Sequence, residues 1–212
     1  MYKYLAELTG SFFLVLALGF TGDAFSSGLL LVAVIYMGGQ ISGAHYNPAV
    51  TLAFWAAGRL QPGTLWTYLV SQVAGAFTGC LLIYFMTGTV FQTAPSSAAS
   101  PFQYITVELL FAFLLCMVYL MLFLTRNFRN NQVYGLAIGL SYAGILMVGQ
   151  PVTGGVFNPA VSLAVTFVDS FSLGGSYLYL PAYILAPSAG GIIAGNLFAF
   201  LVRSDHLLPE EV

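Results

Sequence analysis

Ser42-Gly43-Ala44-His45-Tyr46-Asn47-Pro48-Ala49-Val50 and Thr153-Gly154-Gly155-Val156-Phe157-Asn158-Pro159-Ala160-Val161 are two versions of one phrase, each closing on Asn-Pro-Ala-Val. Each interrupts a strongly apolar region. Gly43 and Gly154 allow the backbone to bend without steric penalty. Asn47 and Asn158 are good helix N-caps. Pro48 and Pro159 suit a first helical turn, where the missing N–H would be unpaired in any case. The apolar residues that follow, 49–57 and 160–168, are long enough for helices of about ten residues. At 1.5 Å per residue these reach roughly 15 Å, half of a ~30 Å hydrocarbon layer. A chain that breaks itself twice in the same way implies a pore built from two related halves.

The rest of the sequence places those breaks in a membrane. The chain has 212 residues, of which 59% are hydrophobic and 6% charged. Its mean hydropathy is +0.90. A soluble domain carries about 25% charged residues, so this chain cannot cover a water-facing surface, and the lipid bilayer is its solvent. The net charge of −2 and the lack of a basic cluster exclude a nucleic-acid partner. Six apolar stretches, about 3–21, 26–42, 63–87, 102–125, 132–150 and 175–202, read as spanning helices, since ~20 residues cross the hydrocarbon core. Period-2 alternation, the mark of a membrane barrel, is absent. The first stretch is too long for a signal h-region and lacks a clear cleavage site.

All five Lys and Arg residues fall on one side of a six-span topology. Lys3 precedes the first span, Arg126 and Arg129 lie between the fourth and fifth, and Arg203 follows the sixth. Arg59 joins them if the first Asn-Pro-Ala segment dips in and returns. The positive-inside rule then predicts both termini in the cytoplasm. Cys80 and Cys116 lie within spans and read as small packing residues rather than a disulfide.

The expected fold is an all-α membrane protein, a single channel domain over 1–212. It has six transmembrane helices plus two re-entrant half-helices, in repeats of about 1–90 and 101–205. Ala6-Glu7-Leu8 pairs with Val107-Glu108-Leu109, Ser42-Gly43 with Thr153-Gly154, and Ala74-Gly75 with Ala189-Gly190. Three spans per half is an odd number, so the second copy enters the membrane inverted. Inverted repeats set the working site at the midplane between the halves.

Two half-helices entering from opposite faces would meet N-terminus to N-terminus. Each start carries about half a positive charge, so the centre of the pore is positive. The Asn47 and Asn158 amides offer donors to a passing oxygen. A water held by both turns its oxygen inward and loses its bonds to neighbouring waters, which opposes a proton wire, and the field repels cations.

These residues resemble the aquaporin, or major intrinsic protein, family over nearly the whole chain. The similarity is carried by Ala6-Glu7 with Gly10 and Phe13, by Ser42 to Thr51, and by Gly139 ahead of Phe157-Asn158-Pro159-Ala160. The resemblance implies an hourglass-shaped protomer with its own pore, assembled as a homotetramer. It implies an NPA centre formed by Asn47, Pro48, Ala49, Asn158, Pro159 and Ala160. It also implies a narrow outer selectivity filter, which an ungapped register sets at Ser27, Leu146, Gly155 and Val161. Most members have Arg at the position of Val161. Strict water channels have His and a large aromatic at those of Leu146 and Ser27. The glycerol branch has Asp where Ser162 stands. This filter is therefore expected to be wide and uncharged, passing water and small neutral solutes up to the size of glycerol. The resemblance to an Arg-less bacterial subgroup adds a metalloid alternative, arsenite, methylated arsenic species or boric acid, and a bacterial inner (plasma) membrane.

Several residues carry two readings. Glu7 and Glu108 are ionisable groups in apolar spans, which by default mark function. A proton relay needs no copy in each half, whereas two re-entrant loops each need an acceptor for stray N–H groups, so loop support is expected. His45 is either a pH gate or a pin for its loop, and the pin is expected. Asp23 and Asp169 read as solvated outer-loop residues. Asp205, His206, Glu210 and Glu211 form a short polar tail. No nucleophile–base pair, metal cluster, cofactor motif or phosphate loop suggests an enzyme. A secondary transporter shares inverted repeats and broken helices but should show polar coupling residues near the midplane. A silent scaffold would need larger outer loops.

Overall fold

The computed structural model describes residues 1–125 and 132–204. Arg126, Arg129 and the tail from residue 205 lie outside the described residues. The described residues form eight α-helices: α1 Tyr2–Thr21, α2 Ala24–Ser42, α3 Pro48–Ala56, α4 Pro62–Thr87, α5 Pro101–Leu124, α6 Tyr134–Thr153, α7 Pro159–Asp169 and α8 Leu180–Ser204. Six of them are long and apolar enough to cross a bilayer. The short ones, α3 and α7, begin at the two Asn-Pro-Ala phrases.

Local chemistry explains the boundaries. Pro occupies the first turn of α3, α4, α5 and α7. Ser100 and Gln103 form a reciprocal capping box at the start of α5, satisfying donors that a helix end otherwise leaves orphaned. Asp23 caps α2 by accepting from the Ser26 N–H at 2.6 Å. It is exposed, as its outer-loop reading expects, and its hydrogen bonds with Ser26 hold the carboxyl below the usual carboxylate range. α2 and α6 both end on left-handed glycines, Gly43 (φ 85°) and Gly154 (φ 57°). That backbone turn costs a residue with a Cβ about 1–2 kcal/mol.

Helix packing follows a matched pattern. α1 lies on α2 and α4, and α5 lies on α6 and α8. The halves then interlock, α3 against α8, α7 against α4, and α2 against α6. Lipid tails give helices no hydrophobic reason to associate, so close backbone approach at small residues supplies the attraction. A Cβ on Gly75 would strike the Leu8 carbonyl, and one on Gly190 the Leu109 carbonyl. Gly28 and Gly139 face each other across α2 and α6 in the same way. Cys80 and Cys116 are buried, free thiols within this packing.

Two boundaries and one residue depart from expectation. α6 runs through Pro151 to Thr153 rather than stopping near 150; a proline in a final turn sacrifices few bonds. The last span begins at Leu180, not 175, because Ser170–Ser172 and Ser176–Leu178 are 3-10 turns. Their organiser is Asp169, which is not solvated as expected but buried at 3% exposure. α7 continues far enough to turn its carboxylate inward, where it accepts from the Ser176 N–H (3.1 Å) and the Gln92 amide (3.2 Å).

Candidate functional site

The centre of the molecule is built from the two helix starts. Asn47 Oδ1 accepts from the Ala49 N–H at 2.8 Å, capping α3. Asn158 Oδ1 accepts from Ala160 and Val161, at 3.1 and 3.4 Å, capping α7. Each amide nitrogen then crosses to the opposite loop. Asn47 Nδ2 donates to the Phe157 carbonyl (2.8 Å) and Asn158 Nδ2 to the Tyr46 carbonyl (3.0 Å). α3 and α7 thus abut through their N-termini, stapled by two reciprocal bonds. Each amide has two N–H groups, so one per asparagine remains after the staple. Pro48, Ala49, Pro159 and Ala160 are buried around this junction.

Beside the staple, Asn47 and Asn158 share a cavity with His45, Tyr119, Tyr142 and Leu31. It leaves about 10 Å³ of free space at its centre, room for a single water. Nearer the α4–α5 connection, Gly22, Phe91, Gln92, Gln150, Gly154 and Val156 line an open recess of about 200 Å³.

The re-entrant loops are held from behind. Glu7, fully buried, accepts from the Ser42 hydroxyl (2.6 Å), the His45 N–H (3.0 Å), the Tyr46 N–H (2.8 Å) and the Gln72 amide (2.7 Å). Gln72 also donates to Thr51 Oγ1 at 2.8 Å, and His45 Nδ1 lies 3.1 Å from the same oxygen. The His45 ring packs on Phe54, 4.4 Å between centroids. The Tyr46 ring occupies space that a Cβ at Gly10 or Gly38 would fill.

The second loop repeats this scheme in part, without a counterpart, among the described residues, of the Gln72, Thr51 and His45 network. Thr153 Oγ1 accepts from the Gly155 N–H as Ser42 Oγ does from Ala44. Tyr183 donates to the Thr153 carbonyl as Tyr68 does to that of Ser42. Glu108 is equally buried and faces the Thr153 hydroxyl and the Phe157 N–H. Neither reaches it in hydrogen-bond geometry, and both carboxyl oxygens are without a bonded partner among the described residues.

The four positions expected to form the filter come from four elements: Ser27 from α2, Leu146 from α6, Gly155 from the second loop and Val161 from α7. All are buried. The Ser27 hydroxyl is committed to the Asp23 carbonyl at 2.8 Å. Gly155 has a reason for its small size apart from any pore, because a Cβ there would collide with Glu108 Oε1. The motifs do not single out Gln72, Tyr119, Tyr142, Gln92 or Gln150. The one signal for those inside spans is a tyrosine or glutamine in an apolar helix, a polar atom in need of a partner.

Comparison with known proteins agrees with this architecture. The family model described as Major intrinsic protein matches residues 3–198. The chain is 35% identical over 198 residues to "Probable aquaporin AqpM" of Archaeoglobus fulgidus, covering 88% of this chain and 80% of that protein. It is 32% identical over 229 residues to Aquaporin Z of Rhodopseudomonas palustris, covering 94% and 92%. Its fold matches the X-ray structure of the aquaglyceroporin from Plasmodium falciparum with a TM-score of 0.79 at 20% identity, covering 97% of this chain and 96% of that one. With six apolar spans, two helices that begin head to head, and a family match over almost its whole length, the chain belongs to the major intrinsic protein family and is an integral membrane channel of the aquaporin type.

Proposed function

We propose that this channel passes water and small neutral solutes, up to glycerol, and excludes ions at the junction of its two half-helices. The observation that carries this reading is the reciprocal staple of Asn47 and Asn158 beside a cavity fit for one water. Two helix starts aim roughly half a positive charge each at that cavity. A cation there would meet a positive field in a low-dielectric setting. Among the described residues no carboxylate lines the cavity to offset it, since Glu7 lies behind the loops and is engaged by four donors. A neutral oxygen meets the remaining amide N–H groups instead.

Ser27, Leu146, Gly155 and Val161 form the outer filter in this reading. Without an Arg it has no cation to repel other cations and no guanidinium to narrow the opening, so charge exclusion rests on the half-helix dipoles. The two halves enter the membrane inverted, which the matched packing of α1–α4 and α5–α8 supports. The positive-inside pattern supports cytoplasmic termini, with exposed Lys3 and Arg59 on that side. The family resemblance supports a homotetramer, and relatives such as that of R. palustris support a bacterial plasma membrane.

Stopped-flow light scattering on proteoliposomes tests the proposal. Water, glycerol, boric acid and arsenous acid should move with flux linear in concentration. Saturating, ion-coupled flux would overturn the channel mechanism in favour of a carrier.

A further inference from the structure

The re-entrant loops turn their N–H groups away from the centre. His45 and Tyr46 donate to Glu7, Ala44 to Ser42 and Gly155 to Thr153. Backbone polar groups must all find partners, so the carbonyls on the opposite side of these loops are the natural acceptors for a permeating solute. Two of them are already taken. The Tyr119 hydroxyl donates to the Ala44 carbonyl at 3.1 Å, and the Tyr142 hydroxyl to the Val156 carbonyl at 3.2 Å. Both tyrosines are at most 1% exposed, and both line the cavity that holds the two asparagines. Among the described residues, no hydrogen bond is made to the Gly43, His45, Gly154 or Gly155 carbonyls. The repeat register puts Leu18 and Leu31 at the positions matching Tyr119 and Tyr142. Among the described residues, only the second repeat, through α5 and α6, sends a tyrosine ring and hydroxyl to the junction.

We propose that Tyr119 and Tyr142 form a second, size-selecting constriction at the asparagine junction, with each hydroxyl latched onto a loop carbonyl. The inference rests on the channel reading and refines it by adding a second narrow point inward of the outer filter. A water fits the remaining space. A glycerol-sized solute passes only when a ring swings aside, and that motion breaks the latch. The outer filter therefore decides what enters, and the tyrosine pair decides how fast anything larger than water leaves. The hydroxyls serve a second role. By occupying two acceptors, they leave a polyol fewer carbonyls on which to exchange its water bonds.

The test is the ratio of glycerol to water permeability in proteoliposomes for the wild type, Tyr119→Leu, Tyr142→Leu, Tyr119→Phe and Tyr142→Phe. The Leu variants open the bore, and the Phe variants keep the ring but release the latch. The ratio should rise by about 2- to 10-fold in the Phe variants, the scale of one net hydrogen bond, and by more in the Leu variants, which also open the bore. Wild-type water flux and an unchanged melting temperature in the same variant separate a released constriction from damage to the fold. Should a Leu variant fail to reconstitute, its Phe counterpart decides the matter. An unchanged ratio in the reconstituted variants, with wild-type water flux intact, overturns the tyrosine constriction and leaves the channel standing. Wild-type liposomes no more permeable to water than empty ones overturn both.

Discussion

Removing Glu7 and removing Glu108 should have unequal consequences, although the two residues occupy equivalent places in the repeat. Glu7 receives four donors at 2.6–3.0 Å. Two of these have a substitute: Gln72 keeps Thr51, and the Ser42 hydroxyl can turn toward other acceptors. The His45 and Tyr46 N–H groups have none, because both residues are buried and the loop geometry aims them at the carboxylate. An unsatisfied buried donor costs about 1–3 kcal/mol, so Glu7→Ala should destabilise by roughly 2–6 kcal/mol on that account alone, before any loss of packing. Glu108 accepts no hydrogen bond from the described residues, and the Gly155 N–H is held by Thr153. Glu108→Ala therefore loses side-chain contact and a longer approach to the Thr153 hydroxyl and the Phe157 N–H, and no direct hydrogen bond, so it should destabilise less than Glu7→Ala. It also vacates space beside Gly155. Thermal unfolding of the two purified variants in the same detergent, followed by water permeability in liposomes, measures the difference. A Glu108→Ala protein as unstable as Glu7→Ala would mean that the second loop depends on its carboxylate as strongly as the first, against this expectation.

Further outcomes can be checked with the same preparations. Val161→Arg should cut glycerol flux several-fold while sparing water, as a liposome swelling assay reads directly; unchanged glycerol flux would count against the filter register. Asn47→Ala and Asn158→Ala each remove one cap, about 1 kcal/mol, and one cross-loop bond. Both should loosen the junction and raise proton leak, measured with a pH dye trapped in vesicles at a fixed potential. Gly75→Ala places a methyl against the Leu8 carbonyl and should cost about 1–3 kcal/mol as an overpacked contact, visible as a lowered melting temperature; a neutral result would mean that α1 and α4 can separate freely. Asp169→Ala frees the Ser176 N–H and the Gln92 amide, and proteolysis of the 170–178 segment should accelerate.

Much of the architecture is legible in the amino-acid sequence. Six spans follow from composition, because water cannot solvate so apolar a surface and a bilayer can. The half-helices follow from Gly43, Asn47 and Pro48 and their counterparts, because bend, cap and first turn are local properties. Which atoms meet is not legible. Asp169 reads as a loop residue because nothing in its neighbourhood tells how far α7 extends or which way its carboxylate turns. Tyr119 and Tyr142 read as two aromatics among 13 Tyr and 18 Phe. In a nearly uniform apolar helix, no periodic pattern distinguishes the face toward lipid from the face toward a passage.

The sequence alone therefore determined the solvent, the number of crossings and the two places where the chain turns back, since each depends on residue type within a short window. The packing of the helices sets the rest: Asn47 and Asn158 each give one N–H to the other's loop, Glu7 is fully engaged while Glu108 is not, and two tyrosines crowd the junction. Those outcomes depend on contacts between residues far apart in the chain, where helix rotation and side-chain reach choose the partner and local propensity has no influence.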